Sequence, residues 1–161
     1  MITSRSSRFK DLLHVGCGPR TKVDLIGFNS SDWRETRLDI DGRYNPDIIS
    51  SMTDMGLIAT GSFDALYSSH NIEHIYPHEV SVALAEFHRV LKPDGVLVLT
   101  CPDLQSVCKM VAQDKLLEPL YQSPAGPISA IDILFGHRAS IKNGMHYMAH
   151  KTGFTYSALV N

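Results

Sequence analysis

The sequence predicts an α/β fold built on a doubly wound parallel sheet, and three observations predict it. Short apolar runs alternate with segments of helical period along the chain, the pattern that puts helices over a parallel sheet. The first apolar run ends directly in a glycine loop, Gly16-Cys17-Gly18. Composition is that of an ordinary globular chain: 161 residues, 43% apolar and 20% charged. That length suits one domain, residues 1–161. Fifteen Lys and Arg against 17 Asp and Glu give a formal net charge of -2, which argues against a nucleic-acid partner. No apolar run approaches the ~18 residues of a membrane span. The first ten residues, with Arg5, Arg8 and Lys10, lack the apolar core of a signal peptide. Cys17, Cys101 and Cys108 are too few for a disulfide framework, so a cytoplasmic protein with packing cysteines is expected.

The elements follow in order. Leu12-Leu13-His14-Val15 reads as the first strand. Thr36 to Ile40, Asp47 to Ser50, Phe63 to Ser68 and Gly95 to Thr100 read as four more. Val80, Ala83, Leu84, Phe87, Val90 and Leu91 line one face of a helix between the last two strands. Pro77 suits its first turn, and Pro93-Asp94-Gly95 separates it from the next strand. Asp103 is placed to cap a helix carrying Leu104, Val107, Cys108 and Val111. Pro127 to Phe135 is expected to form another helix, and Thr155 to cap a last one. No long helix fits between Pro19 and Trp33.

In such sheets ligands bind beyond the carboxyl ends of the strands. Gly16 and Gly18 let backbone amides approach a ligand with no Cβ between. Asp39 follows at about the 20-residue spacing of an acid that accepts ribose hydroxyls, with Asp41 on the same side. A dinucleotide site wants a third glycine and a helix facing the pyrophosphate. Neither is present, so an adenosine ligand without phosphate is expected.

These residues resemble the class I S-adenosylmethionine-dependent methyltransferases. Leu13-His14-Val15-Gly16-Cys17-Gly18-Pro19 looks like their first motif, and Leu38-Asp39-Ile40-Asp41 like the ribose-binding strand end. Ser62 to Ser69 with Ile72-Glu73-His74-Ile75 is similar to the fourth strand and its turn. Arg89-Val90-Leu91-Lys92-Pro93-Asp94-Gly95 is close to the family's most recognisable phrase, with Asp94 where Gly is usual. The phrases Cys101-Pro102-Asp103-Leu104 and His150-Lys151-Thr152-Gly153-Phe154 point to a little-characterised bacterial-type branch.

The resemblance implies a Rossmann-like sheet of the class I methyltransferase type and S-adenosyl-L-methionine as cofactor. It implies a cofactor site of His14, Gly16, Cys17, Gly18, Asp39, Ile40, Met52, Thr53, Asp54, Ser69 and His70. His14 stands where many members have an acid near the cofactor's charged end. Ser51 or Met52 falls where an acid often meets the adenine amine, with Asp54 close by. The family's sheet ends in a helix and an antiparallel strand pair, whereas this sequence stops at Ala158-Leu159-Val160-Asn161. The sheet is therefore expected to lack that pair. Its fifth strand would be an apolar edge, so either a truncated chain or a partner covering that edge, a second copy of the chain among the candidates, is expected. Residues 104–151 exceed the minimal pattern and are expected to form a lid or substrate-facing insertion.

Methyl transfer asks the protein mainly for alignment, with a base only where the acceptor must lose a proton. His70 is the leading base candidate, with His146 and Asp103 as others. The acceptor implied is a small molecule, a sugar or a lipid-linked intermediate. No Asn-Pro-Pro-Tyr signature of methylation at base amino groups occurs. Two alternatives stand beside the enzyme: a non-catalytic cofactor-binding or scaffold domain, and a zinc hydrolase. The second rests on His70-Asn71-Ile72-Glu73-His74, which matches H-x-x-E-H. That motif needs one helix spanning both histidines, whereas here it begins just after a strand. No metal is expected, and Glu73 and His74 are read as fixing the turn.

Overall fold

The computed structural model describes residues 9–160. Arg5, Arg8 and Asn161 lie outside them. The chain forms two compact units, one of residues up to 69 with 79–100, the other of 70–78 with 101 onward.

The first unit is a five-stranded sheet in which every pairing is parallel. Its strands are β1 (Lys10–Val15), β2 (Trp33–Asp39), β3 (Ile48–Ile49), β4 (Phe63–Ser69) and β5 (Leu91–Thr100). The order β3-β2-β1-β4-β5 reverses between β1 and β4, so the crevice for a ligand opens at the carboxyl ends of those central strands. The third expected strand shrinks to Ile48–Ile49, and β2 ends at Asp39, one residue before the expected end.

The pleat sends alternate residues to opposite faces. Leu13, Val15, Leu38 and Leu66 form one core with Phe87 and Val90 of α1 (Val80–Val90). Leu12 and Ala65 form a second core with Leu25 and Phe28 from the segment between β1 and β2. That segment holds only a 3-10 turn, Lys22–Asp24, so the first crossover lacks a long helix, as expected. Asp94 adopts φ +66, the left-handed region that glycine enters freely and aspartate tolerates. That explains how Asp can stand at a position where the resembling family usually has Gly.

The second unit holds α2 (Leu104–Ala112), the antiparallel ribbon β6 (Pro119–Ser123) and β7 (Gly126–Ser129), α3 (Ala130–Phe135), α4 (Arg138–Lys142) and α5 (Tyr156–Val160). The expected helix from Pro127 is corrected here: Gly126 to Ser129 is strand, and the helix begins at Ala130. Asp132 sets that start by accepting the Ser129 amide at 3.0 Å, a helix-opening arrangement that holds Pro127 outside. Val107, Ile128, Ala130 and Ile133 make this unit's core. At Gly136, φ +97, a Cβ would lie 2.1 Å from the Met148 carbonyl oxygen, so only glycine lets those two segments meet. Among the described residues no helix is long and apolar enough to cross a membrane.

Candidate functional site

The loop after β1 is shaped by two left-handed glycines, Gly16 (φ 65) and Gly18 (φ 52). The amides of Gly16 and Cys17 both donate to the Leu38 carbonyl, and the Gly18 amide donates to Asp39 Oδ2 at 2.7 Å. Asp39 Oδ1 accepts the Asp41 amide at 2.9 Å. One carboxylate at the end of β2 thus holds both the glycine loop and its own strand's continuation. A Cβ built on Gly18 meets nothing within 4 Å, so open space lies before the loop.

Two residues of β2 that the sequence reading passed over complete the scaffold. Arg37 donates from Nη2 to the Gly18 carbonyl at 2.6 Å, from Nε to the Arg20 carbonyl and from Nη1 to the Asn45 carbonyl. It thereby ties the loop after β1 to the loop after β2. Glu35 accepts the Lys22 amide at 2.9 Å and pairs with His14 Nδ1 at 2.8 Å. His14, expected at a cofactor's charged end, is buried beside Glu35, with its ring edge-on to Tyr67. Burial holds its pKa below the ordinary histidine value, although Glu35 opposes that. Cys17 is also buried, and burial pushes its thiol up to about 11, so it packs as a neutral thiol.

The loop after β3 brings Met52, Thr53 and Asp54 together. Met52 packs against the α1-side core, Thr53 Oγ1 and Ser51 Oγ lie 2.7 Å apart, and Asp54 is exposed. A Glu86–Arg89 pair on α1 clamps the loop: Glu86 Oε2 accepts the Met55 amide and Arg89 Nη2 donates to the Met55 carbonyl, both at 2.8 Å. Ile40, directly after Asp39, is 51% exposed, an apolar side chain left open beside the carboxylate. At the ends of β4 and β5, Ser69 Oγ and Thr100 Oγ1 lie 2.6 Å apart.

The remaining candidates belong to the second unit. His70 is exposed and adopts φ +55, with Nδ1 3.4 Å from Glu73 Oε1. The H-x-x-E-H segment folds as a 3-10 turn, Ile72–His74, so no α-helix spans His70 and His74 as a zinc hydrolase of that type requires. Asp103 caps α2: Oδ1 accepts the Gln105 amide and Oδ2 the Ser106 hydroxyl. The Ser106 bond holds its carboxyl below the usual range, as suits a helix cap. His146 is exposed in a 3-10 turn, His146–Met148.

A parallel sheet with a glycine loop locked to an acid at the next strand's end defines a nucleoside-cofactor α/β domain. Residues 13–99, more than half of the chain, match the family described as "Methyltransferase domain", and the chain belongs to that family. Solved structures share the fold. A SAM-dependent methyltransferase from Methanosarcina mazei is 19% identical, with TM-score 0.60, over 96% of this chain and 77% of its own. The DhpI-SAM-HEP complex is 16% identical, with TM-score 0.54, over 98% of this chain and 69% of its own. A protein from Pyrococcus horikoshii is 18% identical, with TM-score 0.53; the match covers 65% of this chain and 55% of the Pyrococcus protein. No curated protein matches the sequence.

Proposed function

We propose that the chain is an S-adenosyl-L-methionine-dependent methyltransferase whose cofactor lies at the carboxyl ends of β1 and β2. The observation that carries this reading is the 2.7 Å bond from the Gly18 amide to Asp39, made by a loop whose two glycines, Gly16 and Gly18, are left-handed. A carboxylate has about four acceptor positions, and the backbone occupies two on Asp39, leaving two for a vicinal diol. Ile40 presents an apolar surface for an adenine ring, and Met52 to Asp54 extend the wall beyond it. The residues present fit the nucleoside part of the cofactor. His14 is left out of that set, because Glu35 and Tyr67 already hold its ring.

When bound, S-adenosylmethionine supplies a methyl group activated on a sulfonium. Arg37 and Glu35 hold the glycine loop in shape, so little ordering remains to be done on binding. Glu86 and Arg89 do the same for the loop after β3. The acceptor proposed is a small molecule, a sugar or a lipid-linked intermediate, with His70 as base where one is needed. β5 is terminal in the sheet, and Val96 is 55% exposed, so a partner along that edge is part of the proposal. Calorimetry with S-adenosylhomocysteine tests the central part. Binding by the wild type and its loss in Asp39→Ala are expected; no heat with the folded wild type would overturn the reading. Turnover in an acceptor screen separates an enzyme from a binding domain.

A further inference from the structure

Glu73 is the most exceptional polar group among the described residues. Its side chain is 2% exposed, and neither carboxylate oxygen accepts a hydrogen bond. Buried carboxylates are ordinarily paired or bound to a metal, because an unpaired buried charge is strongly unfavourable. Its neighbours are imidazoles: His70 Nδ1 lies 3.4 Å from Oε1 without making a hydrogen bond, and His74 and His150 stand close by. One ligating atom from each of Glu73, His74 and His150 lies within 4.8 Å of the others, all within the second unit.

The two histidines are oriented by backbone carbonyls. His74 Nδ1 lies 3.2 Å from the Ala149 carbonyl oxygen, and His150 Nδ1 lies 2.6 Å from that of Ile133. A carbonyl oxygen only accepts, so each Nδ1 carries its hydrogen and each Nε2 keeps a lone pair. A metal-bound histidine is oriented in this way, its second ring nitrogen donating to a carbonyl or carboxylate. The approach is also built into the backbone. The Glu73 carbonyl accepts the amides of Lys151 and Thr152, at 2.8 and 3.2 Å, which brings His150 beside Glu73. Gly136 admits the chain at Met148 to His150 closely enough for the His150 amide to donate to the Phe135 carbonyl.

We propose that Glu73, His74 and His150 bind one divalent transition-metal ion of the zinc class, His74 and His150 through Nε2. Two imidazoles and one carboxylate suit zinc and its first-row neighbours, and not magnesium or calcium, which prefer oxygen alone. Metal–ligand bonds of about 2.0–2.2 Å at tetrahedral angles put ligand atoms about 3.5 Å apart, so the trio, within 4.8 Å here, draws together by up to roughly 1 Å on binding. Three protein ligands leave at least one coordination position open. The ion would fasten the turn after residue 70 to the segment around residue 150, far apart in sequence. His70, the neighbour in sequence that the H-x-x-E-H spacing suggests, is not a ligand in this arrangement; His150 takes its place. The proposal rests on the second unit alone and is independent of methyl transfer.

The test uses the full chain, stripped with a chelator and titrated with Zn²⁺ and with Co²⁺. About one ion per chain is expected, with visible ligand-field bands in the cobalt form. Glu73→Gln and His150→Ala should each weaken Zn²⁺ binding at least about 100-fold, while His88→Ala, on exposed α1 surface, should leave it unchanged. Because His150→Ala removes a packed ring, circular dichroism checks its fold, and the isosteric Glu73→Gln is the decisive variant. Absence of binding by the wild type, or unchanged affinity in Glu73→Gln, would overturn the proposal. So would an affinity that falls in His70→Ala but survives in folded His150→Ala.

Discussion

Asp39 and Glu73 are both buried carboxylates, 7% and 1% exposed; Asp39 ends β2, and Glu73 follows β4 of the same sheet in sequence. Their surroundings are opposite. Asp39 accepts two backbone amides and locks the glycine loop in place, whereas Glu73 accepts nothing. The first is finished by the chain itself and leaves lone pairs for a ligand; the second is left unfinished by the protein. A satisfied buried acid marks a preorganised scaffold, and an orphaned one marks a site that its ligand completes. Asp132, buried in the second unit, falls with Asp39: it is met by Ser129 and by Arg138 Nε at 2.7 Å.

Substitutions at these carboxylates should separate the two kinds. Asp39→Ala removes the loop's anchor and the diol acceptor together, so S-adenosylhomocysteine affinity should fall at least about 100-fold, near 3 kcal/mol, by calorimetry. Asp132→Asn should lower stability at neutral pH by about 2–3 kcal/mol in urea unfolding, because charge-assisted bonds are lost. The Arg138 contact, with Ser129 adding to it, holds the Asp132 carboxyl well below the usual range. The folded state therefore binds fewer protons than the unfolded one. That stability is fully present above the unfolded value of about 3.9 and is lost as pH falls toward the folded value. The gap between wild type and Asp132→Asn should accordingly narrow in acid.

Glu73→Gln should behave in the opposite sense. Without metal it should raise stability by about 1–2 kcal/mol, since a buried carboxyl group that accepts no hydrogen bond is replaced by an uncharged amide, while the stabilisation by added Zn²⁺ is lost. A destabilised metal-free Glu73→Gln protein would erase the contrast with Asp39. Arg37→Met should weaken S-adenosylhomocysteine about tenfold by loosening the loop without touching the diol acceptor. The smallest effect is chemical. Alkylation at mildly alkaline pH should modify exposed Cys108 first and Cys17 last, because burial raises the Cys17 thiol to about 11.

Much of this was legible in the sequence. Alternating strand and helix periods located β1, β2, β4, α1 and α2, since each packs a face whose spacing survives as pattern; β5 was legible as an apolar run, although only Leu91, Val98 and Leu99 of it pack partly into the cores. The pairing of Gly18 with Asp39 was legible because it spans one strand and one crossover. Arg37 and Glu35 were not, because a polar residue in a half-buried strand looks solvated until its backbone partners are known. Pro127 to Phe135 carried apolar residues at helical spacing, yet Ser129 and Asp132 set the helix start inside it. The Glu73, His74 and His150 cluster was hidden for a different reason. His70 is nearer in sequence and completes a known spacing, whereas His150 reaches Glu73 only through the Lys151 and Thr152 amides and the opening at Gly136.

In the proposed enzyme the loops after β1, β2 and β3 hold the nucleoside of S-adenosylmethionine. Amide NMR during titration with S-adenosylhomocysteine tests that placement most directly. Saturable shifts are expected at Gly16, Gly18, Asp39, Ile40 and Thr53. Saturable binding that leaves those five amides unmoved would contradict it.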